Sequence, residues 1–585
     1  MRRALAAAVA LLALGASARA EAPAEWGVAV LEIGATPDAR QEQLALRNCL
    51  ELIGIPYLAT ADVGTAVRRP LVLVGGIPLN TQLSPAEREA LYAYVERGGV
   101  LLASQVQGNM FFPLFGLEKA SPSRENFRVL FTQRADPALR YLNRPEERTV
   151  SLGNPQLYAE TIWSTEYTPA PGTQVLARYE NGAAALTLHP YGRGLAYALG
   201  LGFKETTLVP QLARSFEAAR LWINSFEPSG DVFRLLLRGL YEDAVHPFLL
   251  VHTIPEGRQT ALVLSHDVDA RESFRHALDF ARMEAALGAR STFFVTTKYF
   301  TDSTDIGYYT PARARFIQQV KRMGFEVGSH SVSHSLTFEK FPVGSGQVSR
   351  ASYDPGRPTV FGEVRVSQQL LDRDLAQKTA GFRAGYLRYP SELLRVLEES
   401  GYEFDSSVSA QYVLTNFPYF GFRQRTLGSE LSAIVVVPVT LDDSRDFLTA
   451  ARLEEALRVW TEVIRANGEN GAITCLLIHP TDVTYKLTAE RRLLEAHRQG
   501  DIWIGDVGSL ARFWRARARL RPEVRAGAEG TTIVLNLPRD QLPSGQTLVV
   551  EVAPGAAAPA VVDNQGQPVP VRRRTAGDRV FLLLP

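Results

Sequence analysis

Lys321-Arg-Met-Gly-Phe-Glu-Val-Gly-Ser-His-Ser-Val-Ser-His334 is the stretch on which the reading of this chain turns. A helix tail runs through Gly324 into a short apolar strand, and the strand ends in His330 and His334, spaced i, i+4. If the segment turns helical after His330, both imidazoles share one face and can reach one metal ion. A histidine pair alone is weak evidence, because one packed and one solvated histidine give the same spacing. Its neighbours strengthen it. Ser265-His266-Asp267-Val268-Asp269 precedes the pair, and Phe382-Arg383-Ala384-Gly385-Tyr386 and Leu476-Leu477-Ile478-His479 follow it. Each closes an apolar, strand-like run.

Outward from that stretch, residues 258–520 alternate strand and helix. Strand candidates are 261–264, 291–296, 325–328, 381–383, 404–406, 434–439, 473–478 and 502–504, with helical periodicity over 271–288, 311–323, 450–467 and 488–498. This pattern predicts a (β/α) barrel, whose functional residues gather at the C-terminal ends of its strands. All the polar groups just named fall there.

Before the barrel, residues 26–226 also alternate. Strands are expected at 27–31, 71–75 and 99–103, and helices at 38–53 and 84–97, the second opened by Ser84-Pro85 as N-cap and first residue. A doubly wound α/β domain follows from that pattern. Its Tyr94-Val-Glu-Arg-Gly-Gly-Val-Leu-Leu-Ala103 and Tyr191-Gly-Arg-Gly-Leu-Ala-Tyr197 resemble class I glutamine amidotransferase-like domains. The resemblance implies a cysteine nucleophile at a strand-to-helix elbow, but the chain has Ser104-Gln105-Val106-Gln107-Gly108 there and Cys49 mid-helix. A non-catalytic accessory is expected. Residues 227–257 read as a helical connector and a loop, with His246 and His252 as loop or surface histidines. Beyond the barrel, 526–585 carries apolar runs between Gly and Pro turns, without helical period, and predicts a small antiparallel β-sandwich.

A length of 585 residues suits about three or four domains. Sixty-three basic against 62 acidic residues, with no basic stripe, give nucleic acid nothing to recognise. Arg2-Arg3, the apolar run Ala4–Gly15 and Ala18-Arg19-Ala20 form a signal-peptide pattern over 1–20, which predicts export to the periplasm or medium. The apolar run is shorter than the roughly 20 residues a membrane span needs, so no transmembrane helix is expected in the mature chain. Cys49 and Cys475, the only cysteines, read as free buried thiols.

Asp269, His330 and His334 supply two nitrogens and one oxygen, a set that holds zinc and leaves positions open for water. Cobalt, nickel or iron(II) suit it too. Asp267, two residues before Asp269, shares its face in an extended strand and can take a proton from such a water. Arg383 can pair with Asp267 and keep it ionised. His479 then stands opposite as an acid for a leaving amine.

These residues resemble the polysaccharide deacetylase (NodB-homology) family, carbohydrate esterase family four, over residues 258–520. That family has a distorted (β/α) barrel and a mononuclear metal site. Its usual first motif, Thr-Phe-Asp-Asp-Gly, becomes Ser265-His-Asp-Val-Asp269, a version similar to peptidoglycan-deacetylase-like and allantoinase-like enzymes. His330-Ser-Val-Ser-His334 meets the second, and Arg383-Ala-Gly-Tyr386 the third, with glycine in place of proline. Phe404-Asp-Ser-Ser407 occupies the place of the fourth, and Leu477-Ile-His479 meets the fifth. The resemblance implies that Asp267 is the base, that Asp269, His330 and His334 are ligands, and that Arg383 positions the base. It implies too that the Tyr386 N–H holds the oxyanion, Leu477 lines the acetyl pocket and His479 is the acid. Asp405 and His266 are candidate supporting residues. The expected activity is metal-dependent removal of N-acetyl or O-acetyl groups from a polysaccharide or peptidoglycan. The alternatives are a small-molecule amidase or cyclic-amide hydrolase, and a non-catalytic carbohydrate-binding scaffold.

Overall fold

Thr260–Val268 (β1) is the strand on which the barrel is built, buried at every residue. A computed structural model describes residues 26–76, 82–153, 162–209, 230–302, 305–410, 415–444, 448–527, 530–552 and 558–585. The signal-like segment 1–20 and residues 553–557, part of an Ala/Pro/Gly-rich run over 553–560, lie outside these.

The barrel continues through β2 (Thr292–Val295), β3 (Glu326–Ser329), β4 (Gly381–Phe382), β5 (Phe404–Asp405), β6 (Leu431–Val436), β7 (Ile473–Ile478) and β8 (Ile502–Asp506). All eight are parallel, in the order β6-β5-β4-β3-β2-β1-β7. β8 runs beside residues 260–264 of β1, and β2 beside 265–268. The sheet curls, and the chain after β6 joins its two ends. Val437 and Val439 donate to the carbonyls of Asp405 (2.8 Å) and Val408 (2.7 Å), Thr440 donates to Cys475 (2.9 Å), and Leu441–Asp442 then pairs with β7. Helices between the strands follow local rules. Pro311–Arg322, for example, has proline in its first turn, Thr310 accepting the Arg313 N–H, basic residues in its last turn, and Ala314, Ile317 and Val320 buried on one face.

In the first domain five parallel strands run in the order Tyr57–Thr60, Val28–Leu31, Leu71–Val74, Val100–Ser104 and Gly194–Leu199. That is the 2-1-3-4-5 order of a flavodoxin-like sheet. Ser84 and Glu87 form a reciprocal capping box on helix Pro85–Glu96. The expected strand–helix alternation does not persist to residue 226. Leu117 to Tyr191 forms an antiparallel extension, in which Ala184–Tyr191 pairs with Gly194–Leu199 and then with Gln174–Tyr179.

Residues 227–257 are not a simple connector. Helix Gly230–Ala244 is buried almost all round and carries its charges in pairs: Asp231 with Arg234, and Arg238 with Glu242 at 2.9 Å. Arg238 also donates to the Asn470 carbonyl of the barrel (2.9 Å), and Arg579 reaches Glu242 at 2.9 Å. Tyr141 of the first domain also donates to Glu242, so one helix touches all three modules. Leu249–Val251 is a strand and pairs with Thr547–Glu551, in a sheet completed by Arg579–Leu583 and Arg572–Ala576. A second small sheet, Glu523–Gly527, Gly530–Val534 and Ala560–Val562, contains one parallel pair. The last module therefore has two sheets, but it is neither purely antiparallel nor confined to 526–585. His246 is a surface residue as expected and lies 2.7 Å from Glu551, whereas His252 is half-buried and packs edge-on to Phe581. A single apolar core runs from Val28 and Leu50 through Leu236 and Leu240 to Val263, Phe294 and Cys475 inside the barrel. Among the described residues no helix is long and apolar enough to cross a membrane.

Candidate active site

Alternation along β1 sends Ser265 and Asp267 inward and His266 outward, with Asp269 just past the strand. β3 delivers His330. The segment after it is not the expected helical turn. Ser331 (φ 66°) and His334 (φ 53°) are left-handed, a conformation that costs non-glycine residues free energy unless their surroundings impose it. Here buried Glu363 imposes it, its Oε2 accepting the Val332 (2.9 Å) and Ser333 (2.8 Å) N–H groups. The His334 ring lies against Gly385, where a Cβ would meet its Cδ2 at 2.6 Å. That contact gives a physical reason for glycine at this position.

Ligand-capable atoms of Asp269, His330 and His334 all lie within 4.8 Å of one another, with His334 Nε2 3.6 Å from Asp269 Oδ2. The His330 Nδ1 faces the Arg383 carbonyl at 2.9 Å. A carbonyl only accepts, so Nδ1 carries a hydrogen, which leaves Nε2 as the ring nitrogen able to ligate a metal. Two imidazole nitrogens and a carboxylate with one open side fit a zinc-class divalent ion.

Asp267 stands beside this set, its Oδ2 3.5 Å from His330 Nε2. Its Oδ1 accepts from Arg383 Nη1 at 2.8 Å. The fully buried Arg383 also donates to Ser265 Oγ (3.0 Å), Ser406 Oγ (2.7 Å) and the Ser406 carbonyl (3.0 Å), and lies 4.3 Å over the Phe294 ring. Burial alone raises the Asp267 carboxyl, but the Arg383 guanidinium, with His330 and His479, overcomes it and holds the group at about 2. Burial has the upper hand at Asp269, which is raised despite His479 and His330.

On the opposite side His479 Nε2 is 3.8 Å from Asp269 Oδ2, and Nδ1 is 2.6 Å from Asp443 Oδ1. Asp443 is in turn held by Lys486 at 2.6 Å. Burial disfavours the imidazolium, yet the hydrogen bond and charge of Asp443, then Asp269 and Asp267, raise His479 to about 10. Sequence reasoning missed Asp443. Its signal was an aspartate pair, Asp442-Asp443, after the apolar run that begins at Ile434.

Asp405, by contrast, does not reach Asp267 or Arg383 through any hydrogen bond. It accepts from the hydroxyl and N–H of Ser407, while Ser406 serves Arg383. His266 lies outside the cavity. The cavity holds about 750 Å³ and is lined by Asp267, Asp269, His330, His334, His479 and Leu477, among others. Leu336 and Tyr386, 51% and 46% exposed, stand among its lining residues as large apolar side chains open to solvent. No acceptor among the described residues takes the Tyr386 N–H, and Tyr386 is itself left-handed (φ 55°).

Residues 256–404 match the family model described as polysaccharide deacetylase. The chain thus carries a polysaccharide deacetylase domain, matched over the first part of the barrel. Among solved structures, a putative polysaccharide deacetylase from Mycobacterium smegmatis is 18% identical, with 46% of this chain and 94% of that one covered and a TM-score of 0.35. The Puue allantoinase is 14% identical, with 44% and 91% covered and a TM-score of 0.32. A carbohydrate esterase family four pseudoenzyme from Bacillus anthracis is also 14% identical, with 46% and 71% covered and a TM-score of 0.28. No curated protein sequence matches at a significant level.

Proposed function

We propose that this chain is a metal-dependent hydrolase that removes acetyl groups, chiefly N-acetyl, from a polysaccharide or peptidoglycan outside the cytoplasm. The observation that carries the reading is the meeting of Asp269, His330 and His334, flanked by the Asp267–Arg383 and His479–Asp443 pairs. A zinc-class ion bound there supplies Lewis acidity to the acetamide carbonyl and acidifies water. Asp267, with Oδ1 occupied by Arg383, uses Oδ2 to take a proton from the attacking water. The Tyr386 N–H donates to the developing oxyanion. His479, anchored at Nδ1 by Asp443, gives its Nε2 proton to the leaving amine. The carbon–nitrogen bond breaks, and acetate and a free amine leave. Leu477 bounds the space for the acetyl methyl. The open cavity and the exposed Tyr386 and Leu336 favour a glycan, since exposed apolar groups beside a cavity mark binding grooves. The signal-like pattern over 1–20 supports export. We read the first domain as a non-catalytic accessory, because Gln105-Val106-Gln107-Gly108, directly after Val100–Ser104, contains no cysteine and Cys49 is buried.

Acetate release from N-acetylglucosamine oligomers, peptidoglycan and an acetylated exopolysaccharide tests the reading. Zinc-loaded protein should release acetate from at least one of these, lose that activity on chelation and regain it with zinc. Zinc bound tightly with no acetate from any substrate would overturn it in favour of a carbohydrate-binding scaffold.

A further inference from the structure

Behind the cavity, on the outward face of β1, His266 meets Glu284 of helix Ser273–Ala286 and Glu490 of helix Tyr485–His497. All three side chains are at most 1% exposed. The His266 Nε2 is 2.6 Å from Glu284 Oε1 and 3.7 Å from Glu490 Oε2. Its Nδ1 faces the Ile478 carbonyl at 3.1 Å, and its ring stacks on Phe293 with centroids 4.6 Å apart. Ser291 donates to the other Glu284 oxygen at 2.6 Å.

Donor counting decides what this cluster is. A carbonyl only accepts, so Nδ1 carries a hydrogen, and Nε2 and a Glu284 oxygen at 2.6 Å must hold a second proton between them. As a carboxylate Glu490 would have two buried oxygens without a donor. As a carboxylic acid it has a proton to give to Glu284. Among the described residues neither glutamate pairs with a lysine or arginine. Burial first, then the Glu284 charge and hydrogen bond, push the Glu490 carboxyl well up. A metal ion fits less well. Bonds of about 2.0–2.2 Å to atoms 2.6 Å apart leave an acute angle, where zinc prefers a tetrahedral one.

We infer that His266, Glu284 and Glu490 form a proton-sharing triad that locks β1 to β7, with His266 a positioning residue for Asp267 and His479. The role assigned to His266 rests on the reading of those two as base and acid. His266 is the residue before Asp267, and the Ile478 carbonyl it holds belongs to the residue before His479. One imidazole thus sets both sides of the cavity from behind.

The test uses the full chain, labelled with ¹⁵N-histidine, where nine histidines keep the spectrum tractable. Wild type should show one solvent-shielded imidazole whose Nδ1 carries a hydrogen and whose Nε2 signal reports a proton shared with Glu284, and Glu284→Gln should shift that Nε2 signal. Glu284→Gln should lower kcat on the order of tenfold through misplacement, with KM and zinc content unchanged. Glu490→Gln, whose carboxamide can still donate to Glu284, should keep the melting temperature, whereas Glu490→Leu should lower it. An unchanged histidine spectrum in Glu284→Gln overturns the inference. So does a second zinc equivalent in wild type that Glu490→Gln removes. If wild type hydrolyses none of the glycans, the spectrum and the zinc count still decide on the triad, so the two failures are distinguishable.

Discussion

Arg383 at the mouth of the barrel and Arg238 at its base are both buried guanidiniums paired with a carboxylate. At the base, both Glu242 oxygens are engaged: Arg238 takes Oε1, and Tyr141 and Arg579 take Oε2. At the mouth, Arg383 takes only one oxygen of Asp267 and leaves the other facing His330 and the cavity. A carboxylate with both oxygens held by donors is a fastener. One with a free oxygen beside a histidine cluster can still accept a proton. On the proposed reading, one chain uses the same pair of residue types for cohesion at one end and for chemistry at the other.

The sharpest way to break the contrast is Asp267→Asn. It should cut acetate release about 10³-fold while zinc content is retained. Some stability goes too, because Arg383 loses its counter-charge, so turnover is measured on protein shown folded by circular dichroism. Full activity in this variant would refute the assignment of the base. Glu242→Gln at the base should act the other way, costing about 3–5 kcal/mol in denaturant unfolding with kcat/KM unchanged. A fall in turnover without a fall in stability would erase the distinction between the two ends. Asp443→Asn should reduce kcat on the order of tenfold and move the alkaline limb of the pH–rate profile to lower pH, since Asp443 holds the His479 proton.

The smallest effect belongs to Asp405, which burial raises from 3.8 to about 7. The folded state binds that proton more tightly than the unfolded state does. Its contribution to stability is therefore full below 3.8 and is lost as pH rises through about 7. Asp405→Asn should flatten stability across that window, as read by melting temperature against pH.

Strand ends carried most of what the sequence disclosed. Asp267, His330, Arg383 and His479 each stand at or just past the end of a strand-like run, and a polar group in that setting is legible without coordinates. What stayed hidden depended on partners distant in sequence. Glu363 fixes the left-handed turn between the two histidines from outside the motif, so spacing alone suggested a helix. Asp405 and Ser406 differ by one position, and in a period-2 element that single step decides which one serves Arg383. Asp443 became identifiable only once the segment after β6 was seen to cross over to β7. Leu249–Val251 is too short to announce itself as a strand, because its partner lies beyond the barrel in the sequence.

That last pairing has a consequence for assembly. The strand Leu249–Val251 leaves the ribosome before any of the barrel, and its mate Thr547–Glu551 emerges after all of it. The barrel is thus looped out between two halves of one small sheet, and the late segment works as a latch. A nascent chain that has reached only Arg517 still lacks this partner strand, as well as the Arg579 side chain that helps neutralise Glu242. Until the latch closes, an unpaired strand edge stays open to association with other chains, which makes the interval before residues 547–551 emerge the moment of greatest exposure to aggregation.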